Sequence, residues 1–477
     1  MESINKEILV VDLDGTLLNS DILHESFWSA FSLNSLSFLK SLFYLFKGKE
    51  KLKEYLYIAS NVDVKSLPYN KEIIRYITNF KNSGGRVVLA TASNEKFAKK
   101  IADHLGFFDE VYGSNSLTNL KGEIKAKFLV NKFGEKNFIY IGDSRADLAI
   151  WKRAKKSISI NCSNLLRKKI EKDNPSYEHL SKKKINYFSY LKTMRLYQWI
   201  KNLLIFLPIF AAHQVNISNI STSLIAFFAF SFFASSVYII NDLLDLSADR
   251  NHVIKKTRPL ASSDLSIFHG EILAFVLIVI GLILGSFLGL SFVFTLLIYY
   301  FLSTIYSLSL KKFIIIDICI LALLFTLRIV AGSFATEIDI SFWLIAFSIF
   351  IFFSLASVKR QAELVNAKKL GETKINRRGY NIDDLPIISA ISLNAGYISV
   401  LIMAFYINSP AVNKLYYNPS MLWGICFVLL YWLTRIVFLT NRGIIKNEDP
   451  IIFAIKDNIS LICFFSIIGF LFLGSLN

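Results

Sequence analysis

From Trp199 to the end of the chain, apolar runs of Phe, Leu and Ile recur, each near the ~20 residues a helix needs to cross a bilayer. A segment in hydrocarbon has no water to satisfy its backbone, so each run must close its own hydrogen bonds as a helix. The carboxy-terminal part is therefore expected to be an all-α polytopic membrane domain. About nine transmembrane helices fit the ~20-residue requirement, near 199–212, 220–240, 271–288, 291–309, 314–333, 341–357, 386–406, 420–439 and 457–475. Up to about Lys192 the text is charged and irregular, which calls for a soluble part. With 53% hydrophobic and 19% charged residues in 477, the chain is a mixture of the two kinds. A net charge of +17 would suit nucleic acid, but the basic residues sit beside the spans. Anionic lipid and phosphate substrates fit that placement better.

The opening Met1–Lys6 is polar, and the first apolar run, Ile8–Val11, is only of strand length, so no secretory signal is read there. The amino terminus is expected in the cytosol. Loops then assigned to that side hold Arg250, Lys255, Lys256 and Arg258; Lys311 and Lys312; Lys359, Arg360, Lys368, Lys369, Lys374, Arg377 and Arg378; and Arg442, Lys446 and Lys456. Loops on the other side hold Lys414 alone, as the positive-inside rule requires, and the carboxy terminus falls outside. Cys162, Cys319, Cys426 and Cys463 are isolated and form neither a disulfide framework nor a metal knuckle.

In the soluble part, a strand over Lys6–Val11 runs into Asp12-Leu13-Asp14-Gly15-Thr16. Gly15 permits a tight turn, and the two carboxylates emerge on one side of it. One can attack a phosphoryl group while the other moves the proton. A second strand, Arg86–Ala90, ends in Thr91-Ala92-Ser93, whose hydroxyls suit a phosphate. Lys121 to Lys125 precedes a helix, and a strand over Asn137–Ile141 ends in Gly142-Asp143-Ser144-Arg145-Ala146-Asp147, a source of Mg²⁺ ligands. Strands alternating with helical stretches predict an α/β doubly wound parallel sheet with its site at the strands' carboxyl ends. A lone DxD is more often an ordinary turn, and Asp143 alone is a good helix cap. Four such elements in this order make a site.

Residues 6–160 resemble the haloacid dehalogenase superfamily of phosphatases. The resemblance implies Asp12 as nucleophile and Asp14 as general acid and base. It implies Thr91 as phosphate binder, Lys125 (with Lys121 as its rival) as the third-motif lysine, and Asp12, Asp14 and Asp143 around Mg²⁺. Residues 24–65 then read as a helical cap, its Phe38–Phe46 run read as core, with a membrane-docking face as the other reading. Residues 161–192, carrying Arg167-Lys168-Lys169 and Lys182-Lys183-Lys184, read as a basic linker resting on anionic headgroups.

The membrane part, 193–477, carries Asn241-Asp242-Leu243-Leu244-Asp245 and Asp249 directly after an apolar run. Spacings of three and four place Asp242, Asp245 and Asp249 on one helical face, where a cation between them relieves their repulsion. Arg250, His252, Lys255, Lys256 and Arg258 follow, so the stretch reads as a site for a Mg²⁺-bound diphosphate. A solvated loop of mixed charge is the plain alternative. Arg328 and Arg435 fall within spans, where a charge is either functional or paired with a buried acid.

This acidic motif, preceded by Gln198-Trp199-Ile200-Lys201-Asn202, resembles the UbiA superfamily of intramembrane prenyltransferases. Members usually carry a second acidic motif after span six; here Ser357-Val358-Lys359-Arg360-Gln361-Ala362-Glu363 replaces it. With Tyr306–Lys312, IDICILALLFTLRIVAG and EDPIIFAIKD, the pattern is similar to the decaprenyl-phosphate phosphoribosyltransferase branch. That resemblance implies phosphoribosyl pyrophosphate as donor and a polyprenyl phosphate as acceptor. Asp242, Asp245 and Asp249 would hold Mg²⁺ on the pyrophosphate. Lys201, Asn241, Arg250, Lys255, Arg258, Tyr306, Lys311, Arg328, Lys359, Arg360 and Glu363 are the implied substrate contacts. The expected whole is a bifunctional enzyme whose head removes the 5-phosphate from the membrane product, giving a lipid-linked pentose for envelope glycan. A prenyltransferase acting on an aromatic acceptor is the alternative, and a membrane-anchored scaffold with a dead head is a third.

Overall fold

The computed structural model describes residues 7–115, 118–180, 186–375, 378–445 and 449–476. The chain forms two compact units, Met1–Met194 with Tyr238–Ala274, and Arg195–Val237 with Phe275–Asn477.

In the first unit, β1 (Ile8–Val11), β2 (Arg86–Asn94), β3 (Glu110–Ser114), β4 (Phe138–Gly142), β5 (Lys156–Ser159) and β6 (Tyr177–His179) make one sheet. Its order is β3-β2-β1-β4-β5-β6, with every neighbouring pair parallel. Leu9, Val11, Val87 and Leu89 feed one core, while Val10, Val88, Ala90 and Tyr140 feed the other. Strands buried on both faces need apolar side chains at every position, which is why they read as continuous runs. Val11 stands opposite both Leu89 and Ile141, so the residues that follow these three positions start from one level.

Between β1 and β2 the chain builds α1 (Ile22–Leu33), α2 (Ser37–Phe46), α3 (Lys49–Ala59) and α4 (Lys71–Asn82). Then come α5 (Glu95–Leu105), α6 (Glu123–Phe133), α7 (Leu148–Trp151) and α8 (Asn164–Asp173). Two expectations need correction. The stretch 161–192 is not all linker, because it supplies α8, whose Leu166 and Ile170 are buried in the core, and β6, which extends the sheet. That apolar pair is one helical turn apart and hidden in sequence by the lysines and arginine between. Lys182, Lys183 and Lys184 lie outside the described residues, as do Arg377 and Lys446. The Phe38–Phe46 run is not core either, with Phe43 55% and Phe46 91% exposed.

Among the described residues, eight helices are long and apolar enough to cross a membrane: Ile217–Leu244, Ile267–Ser286, Leu290–Leu308, Ile316–Thr336, Phe342–Lys369, Ile382–Ile407, Pro419–Asn441 and Asn458–Ser475. The span expected at 199–212 is instead a 3₁₀ helix, Leu196–Phe206, followed by a short α-helix, Leu207–Ala211. Pro208, with no N–H to give, sits at the junction. The Ile316–Thr336 helix packs so closely here that a Cβ on Gly332 would lie 2.0 Å from the Ile205 carbonyl oxygen.

Candidate active sites

The head site is built just beyond the level at which Val11, Leu89 and Ile141 stand opposite one another. Asp12 follows β1 and receives Lys125 Nζ at 2.6 Å. Lys125, on α6 and 2% exposed, also donates to Tyr140 Oη at 2.8 Å. Tyr140 in turn donates to Asp147 Oδ1 at 2.7 Å, and the Asp147 Oδ2 accepts from Ser144 N and Oγ. Gly15 has φ +73, and a Cβ there would lie 2.1 Å from Asp143 Oδ2. The turn thus needs glycine both for its backbone and for the room that Asp143 occupies.

Asp14 points the other way. Its Oδ1 accepts from Ile22 N at 2.8 Å, and its Oδ2 accepts from Ser93 Oγ at 2.6 Å and Thr91 Oγ1 at 3.5 Å. Oxygens of Asp12, Asp143 and Asp147, not Asp14, lie within 4.8 Å of one another, and hard carboxylate donors so gathered suit Mg²⁺. Lys53 of α3 reaches the Ala92 carbonyl at 2.5 Å and Asn119 at 3.3 Å, adding a cation that sequence reasoning missed.

One lysine faces several acids at this cluster, and the acids respond. Burial pushes the Asp12 carboxyl up to about 6 against the pull of Lys125. Burial and the nearby Asp21 push Asp14 up to about 7. Asp143 is raised well above the usual carboxylate range by burial and then by Asp12 and Asp147.

The first unit also contains the second acidic motif, and its geometry differs from the expected single helical face. The Ile217–Leu244 helix stops short of Asp245, which caps a new short helix, Leu246–Asn251. Arg258 returns between the two ends, its Nη1 donating to Asp242 Oδ1 at 3.0 Å and to Asp249 Oδ2 at 2.5 Å. Asp242 and Asp249 are brought together; the tight three-carboxylate cluster is found in the head instead. Arg250 faces the head: its guanidinium clamps the Glu25 carboxylate of α1 at 3.0 and 2.7 Å. Lys255 lies exposed on a 3₁₀ turn, and Asn241 Oδ1 is buried with no hydrogen-bond partner.

In the second unit two charge clusters stand apart. Lys201 Nζ pairs with Asp449 at 2.5 Å, and Lys359 approaches the same carboxylate at 3.7 Å. Arg360 is wholly buried and forms ion pairs with Asp317 at 2.8 Å and with Glu363, while its Nη2 is buried without a hydrogen-bond partner. Arg378 joins both acids and donates to Tyr306 Oη at 3.1 Å, while Tyr380 donates to Asp317 at 2.5 Å. Lys311 sits on the 3₁₀ turn Leu310–Lys312. Arg328 donates to Asn202 at 2.8 Å and Tyr299 at 3.1 Å, and lies over the rings of Phe230, Tyr299 and Phe325. Arg435 is the structural pair, bidentate on Asp457 at 2.7 and 3.0 Å. Asp317 and Asp449 received no role from sequence, although each lies inside a motif singled out there.

A phosphatase-like sheet joined to a polytopic helical membrane part with a polar, charged interior defines the class. Residues 9–152 match the haloacid dehalogenase-like hydrolase family, and residues 202–447 match the UbiA prenyltransferase family. The chain belongs to the UbiA prenyltransferase family and is an integral membrane protein with a haloacid dehalogenase-like amino-terminal domain. It is 34% identical to the uncharacterized protein y4nM of Sinorhizobium fredii over 455 residues, 95% of this chain and 88% of the other. Nodulation protein NoeC of Azorhizobium caulinodans is 32% identical over 294 residues, 61% of this chain and 94% of its own. The decaprenyl-phosphate phosphoribosyltransferase of Mycolicibacterium smegmatis is 31% identical over 222 residues, 45% of this chain and 70% of its own.

Proposed function

We propose that the chain is a bifunctional enzyme that transfers phosphoribose to a polyprenyl phosphate and then removes the 5-phosphate from the product. The 31% identity to a decaprenyl-phosphate phosphoribosyltransferase supports the first activity. The observation that carries the second is the Asp12–Lys125 pair at 2.6 Å beside Asp143 and Asp147. In the membrane reaction a lipid phosphate oxygen attacks C1 of the donor, and the C1–O bond breaks with its electrons leaving on pyrophosphate. Asp242, Asp245 and Asp249 would hold Mg²⁺ there, supplying charge for the leaving group. Lys201 and Lys359, two cations sharing one carboxylate, have positive charge to offer a phosphate.

In the head, the Asp12 carboxylate attacks the 5-phosphate and the P–O bond to ribose breaks. Asp14, protonated up to about pH 7, delivers its proton to the departing alcohol oxygen. It then takes a proton from the water that cleaves the aspartyl phosphate, releasing inorganic phosphate. Lys125 balances charge on Asp12, and Thr91 and Ser93 offer hydroxyls to the phosphate. Mg²⁺ at Asp12, Asp143 and Asp147 would neutralise the phosphoryl oxygens. With head and basic loops on the cytosolic side, fusion keeps product and phosphatase at high effective concentration. The product is a lipid-linked pentose donor for envelope glycan.

The full-length chain reconstituted with polyprenyl phosphate and phosphoribosyl pyrophosphate labelled in its ribose tests this. The expected result is labelled lipid lacking the 5-phosphate. Label that never enters lipid overturns the transferase reading, and lipid that keeps its 5-phosphate overturns the role of the head.

A further inference from the structure

The cap helix α2 is inside out for a soluble domain. Its buried residues are Ser37 and Ser41, the latter bonding back to the Ser37 carbonyl at 2.7 Å. Its large apolar side chains point outward instead: Leu36 is 58%, Leu39 62%, Phe43 55% and Phe46 91% exposed. Spacings of three and four put these four on one stripe, and Leu33, at the end of α1, is itself 62% exposed. A patch of this kind on a folded domain marks a contact surface.

Two observations say what covers it. Lys40 of α2, Lys47 directly after it, and Lys49 and Lys51 at the start of α3 are all exposed, with Lys47 Nζ 4.2 Å above the Phe43 ring. A cationic rim around apolar side chains is the composition of a helix lying in an anionic bilayer interface. The second is continuity with a membrane span. Phe38 of α2 packs on Phe27 and Phe31 of α1. From α1, Trp28 Nε1 donates to Glu271 at 2.7 Å and His24 contacts the same carboxylate at 3.0 Å. Glu271 lies in the first turns of Ile267–Ser286, a helix long and apolar enough to cross the membrane. The cap is thus fastened to the first turns of that helix, and the end of a spanning helix falls near the headgroups.

We propose that α2 is an interfacial anchor whose Leu36–Leu39–Phe43–Phe46 stripe inserts into the anionic leaflet, with the surrounding lysines on the headgroups. This holds the cap of the phosphatase-like site on the lipid surface, and it stands whether or not the proposed substrates are correct.

The test uses the full-length chain in phosphatidylglycerol vesicles, with Cys319→Ser to remove the exposed native thiol and a nitroxide attached at Phe43→Cys. A second protein carries the label at Lys99→Cys, on the exposed face of α5. The Phe43 label should collide several-fold more often with dissolved oxygen than with a water-soluble nickel chelate, and the Lys99 label should show the reverse. Equal access of the chelate to both labels overturns the proposal. So does shielding of the Phe43 label from both colliders together with dipolar broadening between labels, which would place a second copy of the chain on this face. Loss of folding in one labelled protein is bypassed by the same measurement at Leu39→Cys.

Discussion

The acids of the head and the acids of the membrane part are handled in opposite ways. At the strand ends, Asp12, Asp143 and Asp147 crowd within 4.8 Å and Lys125 is the cation in contact with Asp12, so burial raises Asp12 and Asp143. Around Arg360, two acids meet two guanidiniums, and a tyrosine hydroxyl completes the set. A cluster with surplus negative charge asks for a dication; one whose charges balance needs no further ion and serves as a cross-link. Among the described residues, the Lys201–Asp449–Lys359 group stands between, with one positive charge over, the surplus that suits an anion.

The largest effect that tests this contrast is at the nucleophile. Asp12→Asn should reduce dephosphorylation by roughly 10³-fold or more while leaving lipid labelling intact, read by mass analysis of the lipid products. An unchanged product ratio would show that the head acts on something else. Next, Asp242→Asn should lower transfer by several kcal/mol of leaving-group stabilisation, about 10²- to 10³-fold, with folded protein recovered in normal amount. Near-normal turnover would remove Asp242 from the metal site.

The two neighbouring cations of the basic loop should then part company. Arg360→Ala strands Asp317 and Glu363 as buried charges and should cost about 3–5 kcal/mol of stability, seen as a lowered melting temperature of the purified chain. Lys359→Ala should leave melting nearly unchanged and weaken a phosphate substrate roughly ten- to hundredfold, read as a raised KM. Reversal of those two outcomes would make Arg360 the ligand and Lys359 the cross-link.

The smallest effect concerns pH. An unfolded aspartate loses its proton near 3.8, whereas folded Asp14 keeps it to about 7. Over that window the folded state binds the extra proton, so head stability falls as pH rises from about 4 to 7. In chelator, melting should drop by a few degrees between pH 5 and pH 8, at roughly 2–4 °C per kcal/mol. Asp14→Asn should make the slope shallower, leaving the part that the raised Asp12 and Asp143 supply; a slope unchanged in that variant would assign the effect to those two.

The strands of the head were legible because parallel strands buried on both faces leave uninterrupted apolar text, and each ran into its polar motif. Most membrane helices were legible by length. What stayed hidden was pairing across distance. Glu25 and Arg250 lie 225 residues apart, and Arg378 reaches back 61 residues to Asp317, so no local pattern joins them. The Asp242–Asp249 stride does bring those two carboxylates onto Arg258, but the interruption of the helix at Asp245 was not legible in it. In α2 the aromatic residues were visible, but which way they faced was fixed by the two serines beneath them.

The Glu25–Arg250 clamp also sets an order of events during synthesis. Glu25 is 5% exposed, and its counter-charge is made 225 residues after it. As the amino-terminal domain emerges from the ribosome it can assemble its sheet, since β1 to β6 are complete by His179. Its cap cannot bury that carboxylate without loss until the chain beyond Leu244 has been made, because an uncompensated buried charge is strongly unfavourable. The burial of Glu25 in the cap therefore gains its counter-charge only once Arg250 has been translated.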